Sequence, residues 1–266
     1  MNWKTIFAIA LASACLGADE PPGGGRDTIS QISVINALMV GRYDGEASIA
    51  ELLKLGDFGL GTLDHLDGEL IVLDGRAYQV RGDGAIVDVP PDRSTPFAVV
   101  TPFDVDGEFP CPRVASLTEL EERLNKTLAG RNAFVAIKIR AKVDSITLRS
   151  VKRQEPPYRP LDEVAKSQSM WTHRNVSGTM LGVRSPSWVG NLTVPGYHWH
   201  FLSDDHKVGG HILDVRPVEG RVQYDLTRDW DVRLPASADF DAAELNRDLS
   251  RELKRVESSR GDAPPK

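Results

Sequence analysis

A β-rich chain with few helices, built in two parts behind a leader, is the architecture this sequence predicts. Three observations carry it. Turn signals at Asp67-Gly68, Asp74-Gly75 and Gly82-Asp83-Gly84 separate short apolar runs in the manner of a β-meander. Residues 133–143 alternate apolar positions with Lys138, Arg140 and Lys142, the period-two pattern of a strand with one wet face. Prolines at 156, 157 and 160 exclude regular structure and mark a boundary between a unit over 27–153 and one over 154–266.

The elements follow in order. The mixed apolar run Ile29 to Met39 reads as a strand. Glu46 to Leu55 places Ile49, Leu52 and Leu53 on one helical face. The meander strands are Gly59–Leu63, Glu69–Leu73, Tyr78–Arg81 and Ala85–Val89, and Phe97–Phe103 adds another. Ser116 with Glu119 forms a capping box ahead of Leu117, Leu120, Leu124 and Leu128, with Gly130 as the stop. Beyond the proline segment come a short helix at Leu161–Lys166 and strands at Val176–Val183, Tyr197–Leu202, His211–Val215 and Val222–Leu226. A last helix takes Asp241 as N-cap, Glu244 as its box partner and Phe240 as a staple to Leu245. Leu245, Leu249, Leu253 and Val256 form its apolar stripe. Glu257 lies one turn beyond Leu253, and periodicity alone leaves it an exposed acid at a fraying end.

Composition narrows the function. At 266 residues the chain is long enough for a full core. A net charge of −6 with no basic tract argues against nucleic-acid binding. No apolar run is long enough to span a bilayer. Residues 1–26 read as a signal peptide and tether: Lys4 precedes the apolar stretch Ile6 to Ala14, and a Pro/Gly-rich segment follows. Ala12-Ser13-Ala14-Cys15 fits a lipoprotein signal anchored at Cys15, although Ala12 stands where leucine is usual. Ala12-Ser13-Ala14 also serves as an ordinary cleavage site. Export to the periplasm, free or lipid-anchored, is therefore expected, with a cytoplasmic protein as the alternative. Cys111 has no nearby partner and reads as structural.

The chemistry concentrates at Gly196-Tyr197-His198-Trp199-His200 and at His211. In a strand, residues i and i+2 face the same way about 6–7 Å apart, so both imidazoles can reach one ion. The intervening loop ends in Gly209-Gly210, and His211 begins the returning strand beside the pair. A His-x-His pair also suits a half-exposed surface, but a third histidine among only six in the chain favours a metal. Three nitrogen ligands without a fourth suit an open, catalytic site. His206 reads as a solvated loop residue, and His65 and His173 as structural or exposed.

Together these residues resemble the α-acetolactate decarboxylase family, zinc enzymes that make acetoin. The resemblance runs from about Gln31 to near Arg260. It is carried by Thr62…Leu66-Asp67-Gly68-Glu69-Leu70, by Arg149 ahead of Gln154…Pro157-Tyr158, and by the histidine segments. It implies His198, His200 and His211 as Zn²⁺ ligands, with Glu69, Arg149 and Glu257 as the catalytic polar residues around the metal. It also implies an α+β fold of two mixed or antiparallel sheet domains with few helices, the metal in the C-terminal one, and a homodimer joined through N-terminal sheets. The implied substrate is a small 2-hydroxy-3-oxo acid, 2-acetolactate, converted to (R)-acetoin and CO₂ through a metal-stabilised enediolate. Arg149 then supports oxyanion charge and a protonated glutamate, Glu69 for preference, supplies the proton. Two rival readings stay open. One is a cupin-like metal oxygenase, with Asp204 near the place of a cupin acid ligand. The other is a non-catalytic exported zinc-binding lipoprotein.

Overall fold

The Asp-Gly and Gly-rich turns do build a meander, and the pairing of strands around it forms two main sheets. The structure is a computed structural model that describes residues 27–258. The expected leader and Cys15 lie outside the described residues. In chain order the first elements are β1 (Thr28–Ile32), α1 (Ile35–Met39), β2 (Ala47–Ser48), α2 (Ile49–Leu52), β3 (Phe58–Thr62), β4 (Glu69–Leu73), β5 (Arg76–Val80), β6 (Ile86–Asp88), β7 (Ser94–Thr95) and β8 (Phe97–Thr101). Then come β9 (Gly107–Val114), α3 (Leu117–Thr127), β10 (Phe134–Ser150), α4 (Leu161–Ala165), β11 (Ser169–Ser185), β12 (Gly196–Ser203), β13 (Gly209–Thr227), β14 (Asp229–Arg233), α5 (Ala238–Asp241) and α6 (Ser250–Glu257).

One sheet has seven strands in the order β14-β1-β8-β3-β4-β5-β6. The other has five, β10-β11-β12-β13-β9, and β13 also pairs with β10, so this sheet curls back on itself. The fold is thus α+β, with mixed and antiparallel sheets and few helices. Chain order does not follow sheet membership: β9 and β10 join the five-stranded sheet, whereas β14 returns to lie parallel to β1. Among the described residues no helix is long and apolar enough to cross a membrane.

Several elements differ from their sequence reading. The expected strand over 29–39 stops at Ile32. Ser33 adopts φ 61°, which turns the chain into α1. The helix expected over 46–55 is α2, only four residues long, and it starts about one turn later, at a Ser48–Glu51 capping box. β10, β11 and β13 run far past their alternating cores, because each is paired along nearly its whole length. β9 escapes a sequence reading because Pro110 and Pro112 interrupt it. Such residues are tolerated on an edge strand, which is where β9 lies.

The last helix is the largest departure. Its start belongs to α5, capped by Ser237 and not by Asp241. Residues 242–249 leave the helix before α6 begins. The buried Asn36 side chain donates to the carbonyls of Leu245 (2.8 Å) and Arg247 (2.9 Å), so this segment is held by a tertiary contact where a helix would use its own amides. Leu249, Leu253 and Val256 are nevertheless buried, in a cluster with Ile35, Leu38, Leu161 and Val164 of α1 and α4. The short α6 is therefore held mainly by its apolar stripe.

Candidate metal centre and active site

Strand alternation settles the orientation of the histidine pair. His198 and His200 face one side of β12, and Trp199 faces the other. His200 registers directly with His211 on β13, so the third imidazole completes a triangle. The ring centroids lie 5.1 Å (His198–His200), 5.0 Å (His198–His211) and 5.5 Å (His200–His211) apart. One ligand atom from each ring falls within 4.8 Å of the others.

The polar residues converge on this triangle from three directions. Arg149, near the end of β10, registers with His211. Glu69 opens β4 from the seven-stranded sheet. Gly68 before it adopts φ +85°, and a Cβ there would sit 2.2 Å from the Val80 carbonyl oxygen, so the approach to Glu69 requires glycine. Arg149 Nη1 donates to Glu69 Oε1 at 2.8 Å, with both side chains 6 % exposed. Glu69 Oε2 lies 3.5 Å from His200 Nε2. Glu257, at the end of α6, places Oε1 3.8 Å from Arg149 Nη2 and Oε2 3.7 Å from Nε2 of both His198 and His211. All six predicted site residues therefore meet at one place.

This donor set fits a metal ion. Burial pushes the His198 pKa down to about 3 and holds those of His200 and His211 well below the usual range, so all three imidazoles are neutral, with lone pairs free to bind a cation. His200 Nδ1 lies 3.0 Å from the Leu70 carbonyl oxygen, to which it donates as the N–H tautomer, turning the Nε2 lone pair inward. His200 Nε2 and Glu257 Oε2 are buried with no hydrogen-bond partner among the described residues. A cation at the centre of the triangle would satisfy them.

Burial also raises both glutamates to about 7, against the opposing pull of the Arg149 guanidinium, and the neighbouring Glu257 raises Glu69 further. A neutral carboxylic acid beside the ligands is therefore accessible near neutral pH. The space they enclose is small, about 30 Å³. Ile35, Leu38, Phe97 and Leu161 form an apolar wall to it.

The remaining histidines lie elsewhere. His65 joins Asp44, Asp64 and Tyr158 in a separate cluster, with its Nδ1 hydrogen-bonded to the Tyr158 hydroxyl. His206 is exposed and packs edge-on to Tyr78. Asp204, the acid of the cupin reading, is half-exposed and pairs with Arg140 at 3.0 Å. Sequence reasoning missed the Leu70 carbonyl and the apolar wall. Both come from strands and helices distant in sequence, and neither residue type announces such a part.

The alpha-acetolactate decarboxylase family matches residues 29–247. That stretch includes the three histidines, Glu69 and Arg149 and stops short of Glu257. A protein of Methanosarcina mazei, named alpha-acetolactate decarboxylase, is 42 % identical over 87 % of this chain and 80 % of its own. One of Methylococcus capsulatus with the same name is 39 % identical over 90 % of this chain and 92 % of its own. The crystal structure of alpha-acetolactate decarboxylase from Bacillus subtilis strain 168 superposes with a TM-score of 0.85 at 35 % identity, covering 87 % of this chain and all of that one.

Proposed function

The chain belongs to the alpha-acetolactate decarboxylase family, and we propose that it converts 2-acetolactate to (R)-acetoin and CO₂ at the three-histidine cluster, with zinc as the metal held there. It is an enzyme of the carboxy-lyase type. The observation that carries the reading is the meeting of three neutral imidazoles with Arg149 and two carboxyl groups in one buried pocket.

In the reaction the bond between C2 and the carboxylate breaks. CO₂ departs, the electron pair stays on the substrate, and one proton is added at C2. His198, His200 and His211 would hold the zinc, which when bound would supply Lewis acidity toward the substrate ketone. Arg149 is fixed between Glu69 and Glu257 and supports negative charge that develops on the substrate oxygens. Glu69, carried on a sheet strand and held by Arg149, delivers the proton to one face of C2. The apolar wall accepts the two methyl groups and keeps bulk water from competing as a proton source.

The decisive experiment is an acetoin assay on purified protein of measured metal content, fed racemic acetolactate. Background decarboxylation has no chiral proton donor, so an excess of one acetoin enantiomer is the expected signature. Racemic acetoin at the uncatalysed rate from zinc-loaded protein would defeat the reading and favour the non-catalytic zinc-binding alternative. Export through residues 1–26, attachment at Cys15 and a homodimer belong to the same proposal. Cys15→Ser should release the protein from membranes if the anchor is used.

A further inference from the structure

Behind the histidine pair, the residues of β12 that face away from the metal form a set of their own. Trp199 lies between the two ligands in sequence and is buried on the opposite face of the strand. Its indole Nε1 donates to Glu121 Oε1 of α3 at 3.0 Å. Tyr197 stacks on it with centroids 5.6 Å apart and planes 3° from parallel, and its hydroxyl donates to Asn125 Oδ1, one turn along α3, at 3.0 Å. The cross-strand partner of Trp199 on β11 is Gly182. A Cβ at 182 would fall 2.2 Å from Trp199 Cζ3 and 2.3 Å from Cε3, so the indole lies directly on the glycine backbone.

From this geometry we infer that α3 is a brace for the metal strand, and that Glu121 and Gly182, through Trp199, are positioning residues for His198 and His200. A strand residue and its two neighbours share one stretch of backbone. An indole clamped between a glycine and a helix-borne carboxyl sets the height and pitch of that stretch, and with it the separation of the two imidazoles on the other face. Groups hydrogen-bonded directly to a ligand typically alter metal affinity about 10–100-fold when lost, which sets the upper limit for a brace that acts through the backbone. Nothing in the Glu121 side chain touches the site itself. Its effect runs through the strand.

The inference rests on the metal reading of the three-histidine cluster, and the test separates the two. Zinc affinity is measured by chelator competition on wild type, Glu121→Gln, Glu121→Leu and Gly182→Ala. Chelator-stripped samples of each are melted in parallel to establish that they fold. Glu121→Gln keeps an acceptor for the indole and should bind zinc like wild type. Glu121→Leu keeps the bulk but removes the acceptor, and should bind more weakly, by about 10-fold, within the limit set by direct ligand partners, while its apo form still melts cooperatively. Gly182→Ala should weaken zinc at least as much. Wild-type affinity in a folded Glu121→Leu protein overturns the brace, as does equal weakening in Glu121→Gln and Glu121→Leu. If wild type itself holds no zinc, it is the metal reading that fails.

Discussion

The two carboxyl groups of the site make an instructive pair. Glu69 and Glu257 flank the same guanidinium, both are raised to about 7 by burial, and each approaches an imidazole within 4 Å. Their supports differ. Glu69 sits at the start of β4, hydrogen-bonded into the middle of a seven-stranded sheet and forced into place by Gly68. Glu257 rides on the last residue of an eight-residue helix that belongs to neither sheet. A helix that short is marginal in isolation, so its position depends on Leu249, Leu253 and Val256. One carboxyl is thus built into the scaffold, and the other is delivered to it.

The largest expected effect lies with the groups built most firmly into the sheet. His211→Ala should remove zinc and turnover together, down to the background rate, because it takes away one of the three proposed ligands. Metal analysis beside the acetoin assay checks this. Full zinc content in that variant would break the ligand assignment. Next comes the sheet-borne acid. Glu69→Gln keeps the shape but not the proton and should lower turnover about 10²–10⁴-fold with zinc retained. A fully active, stereoselective Glu69→Gln enzyme would shift proton delivery to the helix-borne carboxyl and reverse the comparison.

The helix-borne acid is tested without touching it. Leu253→Ala removes about 2–5 kcal/mol of buried contact from the stripe that docks α6. Turnover should fall by up to about 10²-fold through misplacement of Glu257, with zinc content unchanged. Loss of zinc in parallel would mean that α6 is as integral to the centre as the strands are.

The smallest expected effect concerns stability behind the rigid half. Burial raises the Glu121 pKa from 4.5 to about 7, against the opposing hydrogen bond from Trp199. Between those values the folded protein keeps a proton that the unfolded chain releases. Stability is therefore highest below about pH 4.5 from this group and declines as pH rises to about 7. Glu121→Gln abolishes that decline. It should be more stable than wild type by about 1–2 kcal/mol at pH 8, after discount for partial exposure, and little changed at pH 4.5. Urea unfolding at the two pH values reads the difference directly. An equal offset at both would remove Glu121 as the cause.

Much of this protein was legible in its sequence because the relevant signals are local. Asp-Gly turns fix where meander strands end, Ser116 and Glu119 fix where α3 begins, and a His-x-His spacing on a strand places two imidazoles on one face whatever surrounds them. What the sequence left open depends on groups that meet only after folding. The break between α5 and α6 exists because Asn36, more than two hundred residues upstream, claims the Leu245 and Arg247 carbonyls. Glu69 reads in sequence as an acid beside a turn, Arg149 as a solvated strand residue and Glu257 as a frayed helix end. Only the apposition of the two sheets and the docking of α6 desolvates all three. The sequence by itself determined which residues could bind a metal, since ligand spacing is a property of one strand and its neighbour. The tertiary structure alone decided which charges are buried beside it, because burial depends on every chain segment that excludes water from the same small pocket.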